Sequence, residues 1–104
     1  MIILLQLQKQ VGNKIILKSY KFIISGKVQG VYYRVSVKKK AFNAKYNGYV
    51  KNLSNGTVEA GVTCTESTLN DFVKILREGS TKSNVTNIKK LDCDEIFTNK
   101  FEVR

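Results

Sequence analysis

The chain has no proline, no tryptophan and no histidine, and only two cysteines, Cys64 and Cys93, among its 104 residues. Without histidine there is no Ser-His-Asp or Cys-His nucleophilic system, and the common zinc-ligand sets are excluded. Two cysteines far apart in sequence are too few for a structural metal and too sparse for a disulfide scaffold, so free thiols in a reducing cytosol are expected. Acid is scarce as well: 8 Asp and Glu stand against 18 Lys and Arg, a formal net charge of +10. Such a charge points to an anionic partner or to simple solubility and says nothing about fold. Long apolar runs are also missing. The opening MIILLQL lacks the basic region and small-residue cleavage site of a secretory signal. It also falls short of the ~18 apolar residues of a spanning helix. No membrane partner and a cytoplasmic location are therefore expected.

What is present suffices for one domain with one core. An apolar fraction of 42% with 10% aromatics is ordinary for a globular protein. Tyr20, Phe22 and Ile24 alternate with Lys21, Ile23 and Ser25, the pattern of a mostly buried strand. Tyr33, Val37, Ala41 and Ala44 then recur as a single helical stripe, which turns the Lys38–Lys40 run toward water. Gly48–Asn52 reads as a short strand, Asn55-Gly56 as a hairpin turn, and Val58, Ala60, Val62 and Cys64 as the inward positions of the returning strand. A second helix starts near Thr65 or Ser67, carries Leu69, Phe72, Val73 and Leu76 on one face, and ends at Gly79. The imperfect alternation of Val85–Cys93 predicts a strand with a bulge. Phe97, Phe101 and Val103 supply a last strand. The order β-α-β-β-α-β plus a terminal strand is the α+β, ferredoxin-like split βαβ arrangement, with two helices on one face of an antiparallel sheet.

The stretch GKVQGVYYR, residues 26–34, joins the first strand to the first helix. Gly26 and Gly30 allow conformations that turn successive N–H groups to one side of the chain. Such a bend is an anion-binding concavity, and the helix start adds its positive end. Arg34, in the first helical turn, carries a planar fork of donors suited to phosphate oxygens. On these residues alone, a plain strand-to-helix connection with an exposed arginine explains the stretch as well. Neither the Walker A nor the dinucleotide-binding glycine pattern is matched, and no cysteine starts a thiol-phosphatase loop. Asn52 closes the strand before the hairpin; it is either a turn residue or an amide that holds a water by donating and accepting at once.

These two stretches resemble the signatures of the acylphosphatase family. The first signature is met by Ile24, Gly26, Val28, Gln29, Gly30, Val31 and Arg34, with Tyr33 where phenylalanine or methionine is usual. The second is met by Gly48, Tyr49, Val50, Lys51, Asn52, Gly56 and Val58. Cys64 stands where a further glycine is expected, although Gly61 lies nearby, and Lys45 stands where the family often has a glycine after the helix. Residues 19–104 fall within the resemblance; residues 1–18 read as an N-terminal extension, mobile or a hairpin of Ile2–Leu7 with Ile15–Leu17.

The resemblance implies a fold and a chemistry. Phosphate would lie among the backbone N–H groups of Gln29, Gly30, Val31, Tyr32 and Tyr33, with Arg34 on its oxygens. Asn52 would position the attacking water. The reaction would be metal-independent hydrolysis of an acyl phosphate to carboxylate and inorganic phosphate, with no cofactor; separately, a monomer is expected. At Lys45 the helix end would be less sharply closed, and the Tyr33 hydroxyl would need a partner. In the family's sheet the strands of Cys64 and Cys93 flank the first strand, about 9.5 Å apart, beyond disulfide reach. One alternative from a different class is a basic ferredoxin-like module that binds RNA or another polyanion on its open sheet face without catalysis. The residue pattern does not favour nucleic acid, because aromatics and basics do not interleave across the middle strands. Another is a cradle for carbamoyl phosphate or a related anion in a maturation system.

Overall fold

The computed structural model describes residues 15–104. In chain order the elements are β1 (Leu17–Lys27), α1 (Tyr33–Asn43), β2 (Asn47–Asn52), β3 (Val58–Thr65), α2 (Glu66–Glu78), β4 (Asn84–Cys93) and β5 (Glu102–Val103). They form one five-stranded sheet of order β4-β1-β3-β2-β5. The ferredoxin-like α+β arrangement read from the sequence is present, with one refinement. β5 runs parallel to β2, pairing Tyr49 with Glu102 and Val50 with Val103, so the sheet is mixed. The hairpin proposed for residues 2–17 falls largely outside the described residues.

Register explains why both helices share one face. Tyr20, Phe22 and Ile24 of β1 lie opposite Val62, Ala60 and Val58 of β3, and Val50 of β2 lies opposite Ala60 on the other side. Because side chains alternate along a strand, all of these point to the same side of the sheet. There they form one core with Tyr33, Val37 and Ala41 of α1 and Leu69, Phe72 and Leu76 of α2. Phe72 stands at its centre, its ring 6.0 Å from that of Phe22, 5.1 Å from Tyr46 and 5.8 Å from Phe101. Burying a side chain of that size contributes roughly 1.5–3 kcal/mol. The predicted bulge also occurs: pairing passes from Ser25–Asn87 to Gly26–Val85, leaving Thr86 as the extra residue. The cysteines are free, Cys64 buried in β3 and Cys93 half-buried at the end of β4.

Three local expectations are corrected. Ala44 is not part of the buried stripe; it is the exposed residue that ends α1. The helix end is not loosely closed either. Lys45 itself takes the left-handed conformation, φ 66°. Its N–H donates to the Phe42 carbonyl, and that of Tyr46 donates to the Ala41 carbonyl, both at 3.0 Å. This is the Schellman closure usually made by glycine. Finally, Phe97 is not in a strand. The segment after β4 crosses the sheet face opposite the helices, where the Phe97 N–H donates to Thr63 Oγ1 at 2.8 Å and its ring meets Tyr49 edge-on at 5.3 Å.

Candidate active site

β1 ends and α1 begins at the same edge of the molecule where the β2–β3 hairpin turns. A cleft of about 290 Å³ opens there, lined by Val28, Gly30, Tyr32, Tyr33, Arg34, Val35 and Asn52. Its floor is the connection between β1 and α1. Gly30 has φ 72°, and Tyr32, the residue before the helix, has φ 63° and ψ 22°. Two left-handed residues within three bend the chain into a concavity of N–H groups. For tyrosine this conformation costs roughly 1–2 kcal/mol. Tyr32 is exposed and supplies no side-chain hydrogen bond to the helix start. The N–H groups of Gly30, Val31, Tyr32 and Tyr33 make no hydrogen bond to any described residue. No acidic residue lies in the first turn of α1 or among the cleft residues. The positive end of an uncapped helix therefore faces the cleft without compensation.

Arg34 is half-buried in the first turn of α1 and lines this cleft. The three ion pairs among the described residues, Lys40–Glu78, Lys51–Glu59 and Arg104–Glu102, leave its guanidinium uninvolved. Asn52 reaches the same cleft from the end of β2, where it pairs with Val58. Its Oδ1 is buried and has no hydrogen-bond partner among the described residues. A buried acceptor left so costs roughly 1–3 kcal/mol, so the fold holds this amide in place at some expense of stability.

Two neighbouring residues hold these groups in place. Gln29 turns its side chain away from the cleft and donates from Nε2 to the carbonyls of Leu53 and Thr57, both at 2.8 Å. It thereby clamps the hairpin turn directly after Asn52 to the loop that precedes Arg34. Tyr33 is wholly buried at the first position of α1. Its hydroxyl donates to the Leu76 carbonyl at 2.6 Å, one of the carbonyls the end of α2 leaves open. The phenol thus has the partner it needs, and burial pushes its pKa far above the usual tyrosine range.

The Acylphosphatase family model matches residues 20–103. This chain belongs to the acylphosphatase family. Over 81 residues it is 38% identical to the acylphosphatase of Haloarcula marismortui, which covers 78% of this chain and 89% of the relative. Against that of Borrelia garinii subsp. bavariensis the identity is 41% over 81 residues, covering 77% and 87%. The crystal structure of acylphosphatase from Bacillus subtilis superposes with a TM-score of 0.77 at 33% identity, covering 86% of this chain and 99% of that one. The protein is thus a hydrolase of the acylphosphatase type.

Of the site residues read from the sequence, Gly30, Tyr32, Tyr33, Arg34 and Asn52 come together at one cleft, while Gln29 and Val31 are not among its lining residues. Val31 is buried beneath the loop, and its carbonyl accepts a hydrogen bond from Ser80 Oγ at 2.6 Å. Sequence reasoning missed Ser80 and the Gln29 clamp. Both are tertiary contacts across 49 and 24 residues respectively, and nothing local announces them. Among the described residues no three His, Cys, Asp or Glu side chains are grouped as metal ligands, and no helix is long and apolar enough to cross a membrane.

Proposed function

We propose that the protein hydrolyses acyl phosphates to a carboxylate and inorganic phosphate without a metal ion. The observation that carries this reading is the convergence of Arg34 and Asn52 on one acid-free cleft floored by an uncapped helix start. The phosphoryl group sits in the bend of N–H groups, with Arg34 donating to its oxygens. The Asn52 side-chain amide, at the edge of the cleft, holds the attacking water and so sets it in line with the bond to be broken. The water oxygen bonds to phosphorus, the phosphorus–oxygen bond to the carboxylate breaks, and a phosphoryl oxygen of the substrate takes the water proton. Because the carboxylate is a good leaving group, the work left to the protein is placement and charge stabilisation, and no histidine base is required. Every described lining residue falls between 28 and 52, so the scheme draws on that stretch of the chain. A cleft of about 290 Å³ has room for a small acyl phosphate, which supports a free metabolite as substrate.

The test is phosphate release from benzoyl phosphate in the presence of chelator. Wild type is expected to turn over. Arg34→Ala and Asn52→Ala should each lose at least a hundredfold, corresponding to about 3 kcal/mol of barrier for one preorganised donor or positioning group. Absence of turnover in wild type, or losses below tenfold in both variants, would refute the reading. Polyanion binding that falls steeply with salt, with no turnover, would instead favour a binding module.

A further inference from the structure

We infer that Ser80 is a positioning residue for the phosphate-binding bend: its hydroxyl locks the Val31–Tyr32 peptide so that the Tyr32 N–H faces the anion. The inference rests on the acyl phosphate reading above and adds to it a residue from a distant part of the chain. Ser80 follows α2 and does not line the cleft, yet its Oγ donates to the Val31 carbonyl at 2.6 Å. The carbonyl is thereby held on the outer side of the bend. No peptide bond in the described chain is cis. In a trans peptide the C=O and the following N–H point in opposite directions, so this bond turns the Tyr32 N–H toward the concave side.

The lock is needed because the backbone itself prefers otherwise. Tyr32 has φ 63°, a conformation unfavourable for any residue with a Cβ. Rotation of the Val31–Tyr32 peptide plane would return Tyr32 to negative φ. It would also swing the Val31 carbonyl, with its partial negative charge, into the place where phosphate oxygens bind. The Ser80 hydroxyl opposes that flip. It does so from a firm base. The Ser80 N–H donates to Ser83 Oγ at 2.9 Å, and the Ser80 carbonyl accepts from the Ser83 N–H at 3.1 Å and from Ser83 Oγ at 2.8 Å. Gly79, just before it, packs so tightly on the Tyr33 ring that a Cβ there would lie 2.7 Å from the ring carbons. Its carbonyl accepts from Lys40 Nζ at 3.1 Å. The turn after α2 is thus tied both to α1 and to the bend it supports.

The experiment titrates inorganic phosphate into ¹⁵N-labelled wild type, Ser80→Ala, Ser80→Thr and Arg34→Ala. It follows the Tyr32 amide by NMR and measures kcat and KM with benzoyl phosphate for each. In wild type the Tyr32 amide proton should move downfield on saturation. Ser80→Ala should lose most of that movement, bind phosphate at least fivefold more weakly and raise KM to match, while the remaining amide spectrum stays that of the folded protein. Ser80→Thr, which keeps the hydroxyl, should stay within twofold of wild type. Adding Tyr32→Gly to Ser80→Ala should recover part of the lost affinity, because glycine takes the left-handed conformation unaided. Wild-type phosphate affinity and an unchanged Tyr32 shift in Ser80→Ala would overturn the inference while leaving the cradle intact. Unchanged phosphate affinity in Arg34→Ala would overturn the cradle itself.

Discussion

Lys45 and Tyr32 share an unfavourable backbone conformation, φ 66° and 63°, at opposite ends of the same helix. At the N-terminal end the strain bends the chain around the proposed anion site. At the C-terminal end it closes α1, and the only requirement there is a left-handed residue whose N–H reaches the Phe42 carbonyl. A residue without a Cβ meets that requirement at lower cost. Lys45→Gly is therefore expected to raise unfolding stability by about 0.5–1 kcal/mol, after allowing for the greater freedom of unfolded glycine. A thermal midpoint below that of wild type would contradict this. At Tyr32 the side chain also lines the approach to the cleft. Lys82 Nζ lies 6.0 Å from the centre of its ring.

At the scale of elements, the β2–β3 pair shows how the face opposite the helices is managed. Tyr49 lies across the sheet on Gly61, its registered neighbour. Phe97 seals it edge-on at 5.3 Å, the Arg104 guanidinium lies 4.3 Å over its ring, and its hydroxyl donates to Glu59 at 2.5 Å. A tyrosine so covered offers no platform for stacking a base, which removes the main support for RNA recognition on this face. It also leaves no room at Gly61, where a Cβ would lie 2.3 Å from a carbon of the Tyr49 ring. The ring cannot swing aside without losing its three partners. Gly61→Ala should cost about 1–3 kcal/mol by overpacking, seen as a lower urea midpoint. A midpoint equal to wild type would show that the ring yields freely.

For the molecule as a whole, burial in the fold raises the pKa of several phenols and of one thiol. Burial raises the pKa of Tyr33 and Tyr49. At Tyr49 the hydrogen bond and charge of Glu59 add to the effect. Burial also raises Tyr46, with Asp71 and Cys64 contributing, and it raises the Cys64 thiol. Each group is neutral in the fold and gives up its proton more readily when the chain unfolds. Above the ordinary thiol and phenol values of about 8.5 and 10, the unfolded state therefore holds fewer protons, and stability falls as pH rises. Below those values the contribution is fully present. Unfolding free energy from urea titrations should show no histidine step between pH 6 and 7.5, since the chain has none, and should decline progressively above pH 9. A rise in stability above pH 10 would refute this account.

Much of the architecture was legible in the chain because it rests on local rules. Alternation placed Tyr20, Phe22 and Ile24 inward, helical spacing identified the buried faces of α1 and α2, and Asn55-Gly56 marked the turn that Gly56 makes with φ 91°. The bend at Gly30 and the candidacy of Arg34 and Asn52 were legible too, since glycine, arginine and asparagine each bring a distinct chemistry to those positions. Other features needed the folded chain. That the Gln29 side chain ties the hairpin to the loop and that Ser80 grips the Val31 carbonyl depend on contacts between segments 24 to 49 residues apart. Periodicity and turn chemistry act over a few residues, so sequence could name the groups that carry charge and hydrogen bonds. Only packing of the helices against the sheet decided which of them meet.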